Sequence, residues 1–395
     1  MTPTKPIDFF WDSEFELGLA EYESSSITTP NGHAKKVQKG GLLPVSGKMR
    51  FSLFRLAVAL AKTVLTRDPV DEDLIKEVRA ALYMLDSLLD MTVVDLRLAH
   101  RFRHKFRDFS KSSRMGELAQ AASFVFAQEV LGHPLVLDFH GYLQSQKIPE
   151  VSPKVRTPDF ALLFHSGSHR PTLLESKGTS PLGKTEAVKS DLKDGLDQCY
   201  AGESHIIAHA KPFYRAKSSF GTVLVAAEIK DAWPSFFAFC DPEKDDDKGM
   251  QDPIGAARQY YSAFLLLAGQ RKLSRALFNS TLRRGQMEQS SQVEQIADVP
   301  YFVFNMHRTY NLFTPLLAKK KGVPPRRLPD QWLVRVDIIQ AIVDNNSTAF
   351  TSIMEELSKE LSSIEVQRDT MIFRDGTRCR RGFNPDGPLL SVGLT

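Results

Sequence analysis

The chain has 395 residues, of which 42% are apolar and 25% are charged. This composition is typical of a soluble globular protein and excludes a disordered or fibrous one. The formal net charge is only +4, so any surface for nucleic acid must be a local basic patch.

Cysteine usage and hydropathy restrict the compartment. The three cysteines are an odd number without a CxxC pair, which argues against a disulfide framework or a zinc site and favours a reducing compartment. No stretch is apolar and long enough to indicate a membrane span, and the N-terminus does not resemble a secretory signal. We therefore expect a cytoplasmic protein without a membrane partner. The length predicts two or three domains.

The first 110 residues are predicted to be an N-terminal arm followed by a helical region. Residues 1–46 are mostly polar and irregular, and the polar stretch SSSITTPNGHAKKVQKGG is predicted to be an exposed loop. Residues 48–110 carry apolar residues at three- and four-residue spacing, with a break at Asp68-Pro69, which predicts helices.

Residues 111–245 show an α/β pattern. An amphipathic helix is predicted to end near Gly132, and PLVLDFHGYL is predicted to be a strand. The runs TPDFALLF and PTLLESKG flank a turn-like HSGSHR, which predicts a hairpin. A polar helix from about Thr185 to Gly202 and the strands GTVLVAAEIK and PSFFAFCDP complete the order.

Residues 246–395 are predicted to be a C-terminal, mainly helical region. Its clearest element is PIGAARQYYSAFLLLAGQRKLSRALF, and AKKKGVPPRRLP is a basic connector that cannot continue a helix. VRVDIIQAIVD and AFTSIMEELSKELSSI are candidates for a further strand and helix. No chemical role follows from this region.

Two acids and a lysine form the constellation that carries chemistry. Glu175 and Lys177 alternate with Ser176, so they face the same side of the predicted strand. If the hairpin forms, Asp159 at the start of its first strand lies beside them. Two carboxylates can bind Mg²⁺ or Mn²⁺, which polarises a phosphate and activates water, and a nearby lysine can orient that water.

The segment Pro158-Asp159 followed by Glu175-Ser176-Lys177 resembles the signature of the PD-(D/E)xK, or restriction-endonuclease-like, nuclease superfamily. The resemblance covers residues 111–240. It implies an αβββαβ core with a mixed central sheet and the site at one end of that sheet. It also implies a Mg²⁺-dependent endodeoxyribonuclease acting on DNA, with a role in microbial defence, repair or a mobile element.

The resemblance extends to two flanking helices. Many members place a glutamate on the helix before the first strand, where this chain has Gly116-Glu117, and a glutamine on the helix after the lysine, where it has Gln198. It implies that Glu117, Asp159 and Glu175 are metal ligands. Lys177 would position or activate the water, and Gln198 would support the site.

Other interpretations of these residues remain open. Glu228-Ile229-Lys230 closes another apolar run and is a rival acid-x-lysine set. Glu175 and Lys177 could be a solvated pair on an edge strand, Glu117 a favourable acid in a first helical turn, and Gln198 a water-facing side chain. The protein could also be a non-catalytic nucleic-acid-binding scaffold that retains the fold, or a helical interaction module.

A basic stretch from Arg97 to Arg114 directly precedes Glu117. Its functional interpretation is a stripe of phosphate contacts, and its structural alternative is a solvated helix face anchored by phenylalanines. We expect the following residues to contact DNA: Arg101, Arg103, Arg107 and Arg114. A homodimer or a protein partner is left open.

Overall fold

The computed structural model describes residues 14–22, 27–28, 35–36, 47–65, 74–164, 171–180, 185–209, 218–240, 252–305, 331–360 and 370–380. The hairpin turn at 165–170, the charged linker EKDDDKG and the basic connector AKKKGVPPRRLP lie outside these residues, as does most of the polar N-terminal loop.

The molecule is mixed α/β, and its main element is an open mixed sheet of seven strands. In chain order the strands are β1 (Glu14–Glu21), β4 (Gly47–Ser52), β5 (Leu135–Asp138), β6 (Phe160–Leu163), β7 (Thr172–Thr179), β8 (Ser218–Val225) and β9 (Phe236–Cys240). Their order across the sheet is β4-β1-β9-β8-β7-β6-β5. The pairs β1–β9 and β7–β8 are parallel, and the others are antiparallel. A separate pair comprises β2 (Ile27–Thr28) and β3 (Lys35–Lys36).

Helices cover the sheet because its central strands are apolar on both faces. All four residues of β6 are buried, as expected for a strand that has neighbours above and below. The first two-thirds of the chain supplies α1 (Leu53–Leu65), α2 (Leu74–Leu88), α3 (Phe102–Lys105), α4 (Asp108–Glu129), α5 (Phe139–Ser145) and α6 (Thr185–His209). The longest of these, α4 and α6, both pack on β7 and β8.

The middle of the chain agrees with its predicted elements except in two strands. The predicted strand GTVLVAAEIK ends early, because β8 stops at Val225. The segment PLVLDFHGYL is not one strand: β5 ends at Asp138, whose carboxylate accepts the N–H of Gly141 at 3.0 Å and caps the start of α5. An aspartate in this position favours a helix start, because it satisfies a backbone donor that has no partner within the helix.

The N-terminal region is not simply an arm with helices. β1 and β4 pair with each other and join the main sheet beside β9, and Phe15, Leu17 and Leu19 of β1 are buried in the core. One apolar cluster contains side chains from all three predicted regions. The boundaries at 110 and 245 therefore separate segments that share a core.

The C-terminal region also differs from its mainly helical prediction. It contains α7 (Pro253–Leu267), α8 (Arg271–Phe278), α9 (Arg284–Ser290), α10 (Val336–Val343) and α11 (Ser347–Glu360). It also contains an antiparallel sheet of five strands in the order β10-β11-β12-β14-β13. These strands are β10 (Gln292–Ile296), β11 (Val299–Asn305), β12 (Gln331–Arg335), β13 (Thr370–Ile372) and β14 (Thr377–Arg380).

A buried ion pair joins the two ends of the chain. Lys62 of α1 and Asp375, in the turn between β13 and β14, are 1% and 0% exposed. The ammonium lies 2.5 Å from the Asp375 carboxylate, which also accepts the Tyr260 hydroxyl of α7. The C-terminal hairpin is thus attached to α1 and α7 through charge as well as apolar contact. Within the described part of the chain, no helix is long and apolar enough to cross a membrane.

Candidate functional site

The predicted constellation lies where β6 begins beside β7. The first residue of β6, Phe160, pairs with Leu174, whereas β7 continues to Thr179. Asp159 therefore lies alongside the part of β7 that β6 does not cover. Its backbone N–H donates to Glu175 Oε2 at 2.9 Å, and its carbonyl accepts the N–H of Phe139 at 2.9 Å. These bonds fix Asp159 against Glu175, on an interior strand of the sheet and not on an edge strand.

Glu175, Lys177 and Gln198 meet on the side of β7 that α6 covers. The Lys177 ammonium donates to Glu175 Oε1. We assign the Gln198 amide the orientation in which its oxygen accepts from Lys177 Nζ at 2.8 Å and its nitrogen donates to Glu175 Oε1 at 3.1 Å. The opposite orientation would set its oxygen against acceptors and its nitrogen against donors. Gln198 is buried and faces this cluster, not water.

The Asp159 carboxylate is held on the other side of β7. Its Oδ2 accepts the backbone N–H of Ser176 at 3.0 Å and also the Ser176 hydroxyl. Its Oδ1 accepts from Gln120 of α4 at 3.1 Å. Because Ser176 alternates with Glu175 along the strand, its side chain lies on the α4 side. The prediction that all three charged groups converge on one face is thus met by the position of Asp159 but not by the direction of its carboxylate.

Backbone contacts hold Glu175 rigidly. The Thr222 hydroxyl of β8 donates to the Glu175 carbonyl at 2.8 Å and lies 3.0 Å from the Ser123 hydroxyl of α4. Gly178 lets α4 approach β7 so closely that a Cβ there would lie 2.1 Å from the Met115 carbonyl oxygen. The chain therefore fixes β7 against α4 within a few residues of the charged cluster.

Burial changes the acidity of Glu175, which is only 3% exposed. Loss of hydration and the nearby Asp159 carboxylate raise the pKa of Glu175 to about 8, although Lys177 and the Asp159 N–H oppose the rise. Even with the Lys177 ammonium in contact, a carboxyl buried in this way prefers to be neutral unless a further cation binds it. Such a perturbed carboxyl is typical of sites that bind metal ions or transfer protons, although structural ion pairs also perturb acids.

Glu117 is not brought to this cluster. Its carboxylate accepts a hydrogen bond from Ser113 at 3.4 Å. It lines a groove of about 680 Å³ between α2 and α4, together with Glu77 and Arg114. Burial raises its pKa, helped by Glu77 and opposed by Ser113 and Arg114. Glu117 was predicted to be a metal ligand directed at the cluster, but the side chain of α4 that reaches Asp159 is Gln120, three residues further along.

The sequence interpretation missed Gln120 and Ser176 as partners of Asp159. Gln120 carries a weak signal, because three residues on a helix place it on nearly the same side as Glu117. Strand alternation predicts Ser176 on the face opposite Glu175 and Lys177. Its contact depends on the point at which β6 begins, which the hydropathy pattern does not give.

The donor set can be compared with what Mg²⁺ needs. Among the described residues, no three histidine, cysteine or carboxylate side chains are grouped so that they could hold a metal ion. Each carboxylate oxygen has two lone pairs. Within this part of the chain, Asp159 Oδ1 and Glu175 Oε2 each accept one hydrogen bond, so each retains capacity for a ligand bond. Two carboxylates with several waters are a set that Mg²⁺ accepts.

The basic stretch from Arg97 to Arg114 contains both exposed arginines and arginines bound to other side chains. Arg101 and Arg107 are exposed. The Arg103 guanidinium instead binds both oxygens of Asp231, at 3.0 and 2.6 Å. Arg114 lies over the Phe106 ring at 4.5 Å from its centre. Arg101 and Arg107 are therefore exposed to solvent, whereas the guanidinium of Arg103 is bound to Asp231.

The rival acid-x-lysine set has a different arrangement. Glu228 is buried, and its carboxylate accepts the backbone N–H of Arg103 at 2.7 Å, at the start of α3. Lys230, in contrast, is exposed. Glu228 therefore has a structural role as a hydrogen-bond acceptor at the start of α3. The Glu175 carboxylate, in contrast, accepts hydrogen bonds from a lysine and a glutamine.

Comparison of the chain with protein-family models, with curated proteins and with solved structures finds no match.

Proposed function

We propose that this protein is a metal-dependent nuclease that hydrolyses phosphodiester bonds of DNA. The observation that carries the proposal is the juxtaposition of Asp159 with Glu175 and Lys177 at the open end of the β6–β7 pair. A buried carboxyl beside a second carboxylate and a lysine is costly for a fold to maintain. A site that binds a divalent cation and a phosphate would explain why these charged groups lie together despite that unfavourable free energy.

The order of elements around the site supports the same proposal. The chain runs through α4, β5, β6, β7, α6 and β8. The first three of these strands pair antiparallel, and β8 pairs parallel with β7. This is the αβββαβ order that the resemblance to PD-(D/E)xK nucleases implies, with α5 inserted after β5. We propose that this segment is a restriction-endonuclease-like core.

Each residue has a role that follows from its contacts. Asp159 and Glu175 would hold Mg²⁺ or Mn²⁺ once the Asp159 carboxylate, which Ser176 holds on the other side of β7, turns toward Glu175. The cation would polarise the phosphate and lower the pKa of a water molecule. Gln120 and Ser176 hold the Asp159 carboxylate in the cation-free protein. Gln198 orients Lys177, whose ammonium can hold the attacking water or the charge that develops on phosphate oxygens. In this proposal Glu117 is not a ligand of the cation, because its side chain lines the groove between α2 and α4.

A second function has a specific observation in its favour. Every oxygen of the two carboxylates accepts a hydrogen bond from the protein itself, so the cluster is satisfied without a cation. This favours a non-catalytic nucleic-acid-binding scaffold that keeps the fold. The nuclease is preferred because burial raises the pKa of Glu175 even with these hydrogen bonds in place, which supports a role for a cation at the cluster.

The test is cleavage of supercoiled plasmid DNA with Mg²⁺, with Mn²⁺ and with a chelator. Asp159→Asn and Lys177→Met should each lower the rate by about 100-fold or more, because each removes a charge that acts on the transition state. Both replacements retain side-chain volume, so folding can be checked by thermal melting. Lys230→Met, at the exposed lysine of the rival set, is the matched control and should cleave like the wild type. Wild-type rates in Lys177→Met would contradict the proposal.

A further inference from the structure

Asp191 of α6 lies at the level of Lys177 on β7. The strands β7 and β8 are parallel, so α6, which connects them, runs back along β7. Gly195 faces Glu175: a Cβ on that glycine would lie 3.4 Å from Glu175 Cγ. Lys177 is two residues, or about 6.6 Å, further along the strand. Because α6 runs antiparallel to β7, moving forward along the strand corresponds to moving back along the helix. Four residues of helix cover about 6 Å, so the residue of α6 at the level of Lys177 is Asp191, four before Gly195.

Helical periodicity places Asp191 on the same side of α6 as Gln198. At about 100° per residue, Asp191 lies about 40° around the helix from Gly195, and Gln198 lies about 60° around it in the same direction. Gln198 already binds Lys177 and Glu175. Asp191 is half-buried, and its pKa is raised by burial and by Asp194 but lowered by Lys177. The ammonium is thus close enough to act on this carboxylate.

Two acids therefore act on one ammonium, Glu175 by direct contact and Asp191 electrostatically. Glu175 holds it now, and a divalent cation on Glu175 would repel it, since like charges held close together are unfavourable. The oxygen of Gln198 is a neutral acceptor, whereas Asp191 supplies a full negative charge. Asp191 does not belong to a three-ligand group with the other carboxylates in the described chain, which favours an indirect role.

We propose that Asp191 is a positioning residue that accepts the Lys177 ammonium when Glu175 turns to a divalent cation. This inference rests on the proposed nuclease function. In it, Lys177 alternates between two carboxylates, and Asp191 keeps the ammonium beside the reacting phosphate instead of on a metal ligand.

The first test compares Asp191→Asn with Asp194→Asn, a control at an exposed aspartate on the same helix. Asp191→Asn should lower kcat for plasmid cleavage by about 10-fold or more, as for other residues that orient a catalytic group, with KM for DNA unchanged. Asp191→Glu should recover part of the loss, and Asp194→Asn should cleave like the wild type. Equal rates in the two asparagine variants would overturn the inference.

The second test measures the rise in melting temperature caused by Mg²⁺, without substrate, in the wild type and in Lys177→Met. Asp191→Asn should reduce this rise in the wild-type background because Lys177 then stays on Glu175. In the Lys177→Met background, Asp191→Asn should change the Mg²⁺-induced rise in melting temperature no more than Asp194→Asn does. A full effect without Lys177 would make Asp191 a metal ligand and overturn the positioning role. A wild type with neither cleavage nor a Mg²⁺ response would overturn the proposed function itself.

Discussion

The pKa of a single buried carboxyl makes stability depend on pH. The pKa of Glu175 is about 8 in the folded protein, compared with an ordinary value of 4.5. Because the folded-state value is the higher one, the folded protein retains a proton that the unfolded chain has lost. The resulting stabilisation is complete below pH 4.5 and is lost as the pH rises through about 8.

We predict that the wild type loses stability relative to Glu175→Gln as the pH rises from about 4.5 to 8. One pKa unit corresponds to about 1.4 kcal/mol, so the difference in unfolding free energy should change by a few kcal/mol. Denaturant unfolding at several pH values, without divalent cations, measures it. Parallel curves for the two proteins would show that Glu175 is not buried as a neutral acid.

Within the basic stretch from Arg97 to Arg114, the exposed arginines should affect DNA binding, whereas Arg103 should affect thermal stability. In a DNA-binding titration across salt concentrations, replacing both Arg101 and Arg107 by Ala should flatten the dependence of log K on log salt by about 0.9 per lost phosphate contact. Arg103→Ala should instead lower the melting temperature, because Asp231 loses its bidentate partner. A salt dependence unchanged in the double variant would make the stretch a solvated helix face.

How far the site could be predicted depends on which interactions are local. Strand alternation correctly placed Glu175 and Lys177 on one side of β7, because that period depends only on neighbouring residues. The direction of the Asp159 carboxylate could not be predicted, since it depends on Ser176 and Gln120, which approach from another strand and a helix. Whether these residues perform catalysis stays a prediction.

At the scale of elements, the contact between α4 and β7 requires a glycine on the strand. A Cβ at Gly178 would overlap the Met115 carbonyl, whereas a Cβ at Gly116, on the same helix, would meet nothing within 4 Å. We predict that Gly178→Ala costs about 1–3 kcal/mol or more, because backbone must move to accept it. Gly116→Ala should be neutral or stabilise α4 by up to about 1 kcal/mol.

Chemical denaturation of both glycine variants tests this contact. Plasmid cleavage adds a functional readout, since a displaced α4 also moves Gln120 away from Asp159. If Gly178→Ala is as stable as Gly116→Ala, the close approach of α4 to β7 does not exist.

Sequence predicted well the long helices α4 and α6 and the short apolar runs of β6 and β7, because each is recognisable from neighbouring residues alone. β1 had a signal as well, because Phe15, Leu17 and Leu19 alternate with polar residues or glycine, but its position within a mostly polar region concealed it. The five-stranded sheet could not be assigned, since β12 pairs with strands separated from it by long connections.

At the scale of the whole molecule, the Lys62–Asp375 pair is a test of how the chain ends are joined. Lys62→Met or Asp375→Asn alone should destabilise the protein by about 3–5 kcal/mol, because each leaves an uncompensated polar or charged group in the core. The double variant should lose less than the sum of the two. Unfolding free energies of the four proteins form the cycle, and strict additivity would show that the two side chains do not interact.

The same pair has a consequence for synthesis. Lys62 leaves the ribosome 313 residues before Asp375, and the N-terminal part of a growing chain is available to fold first. Until the hairpin that carries Asp375 has been synthesised, the Lys62 ammonium lacks its carboxylate partner. Burial of α1 is unfavourable until then. A chain that terminates early therefore keeps an apolar helix accessible to chaperones and proteases, and only a chain extended past Asp375 can close its core.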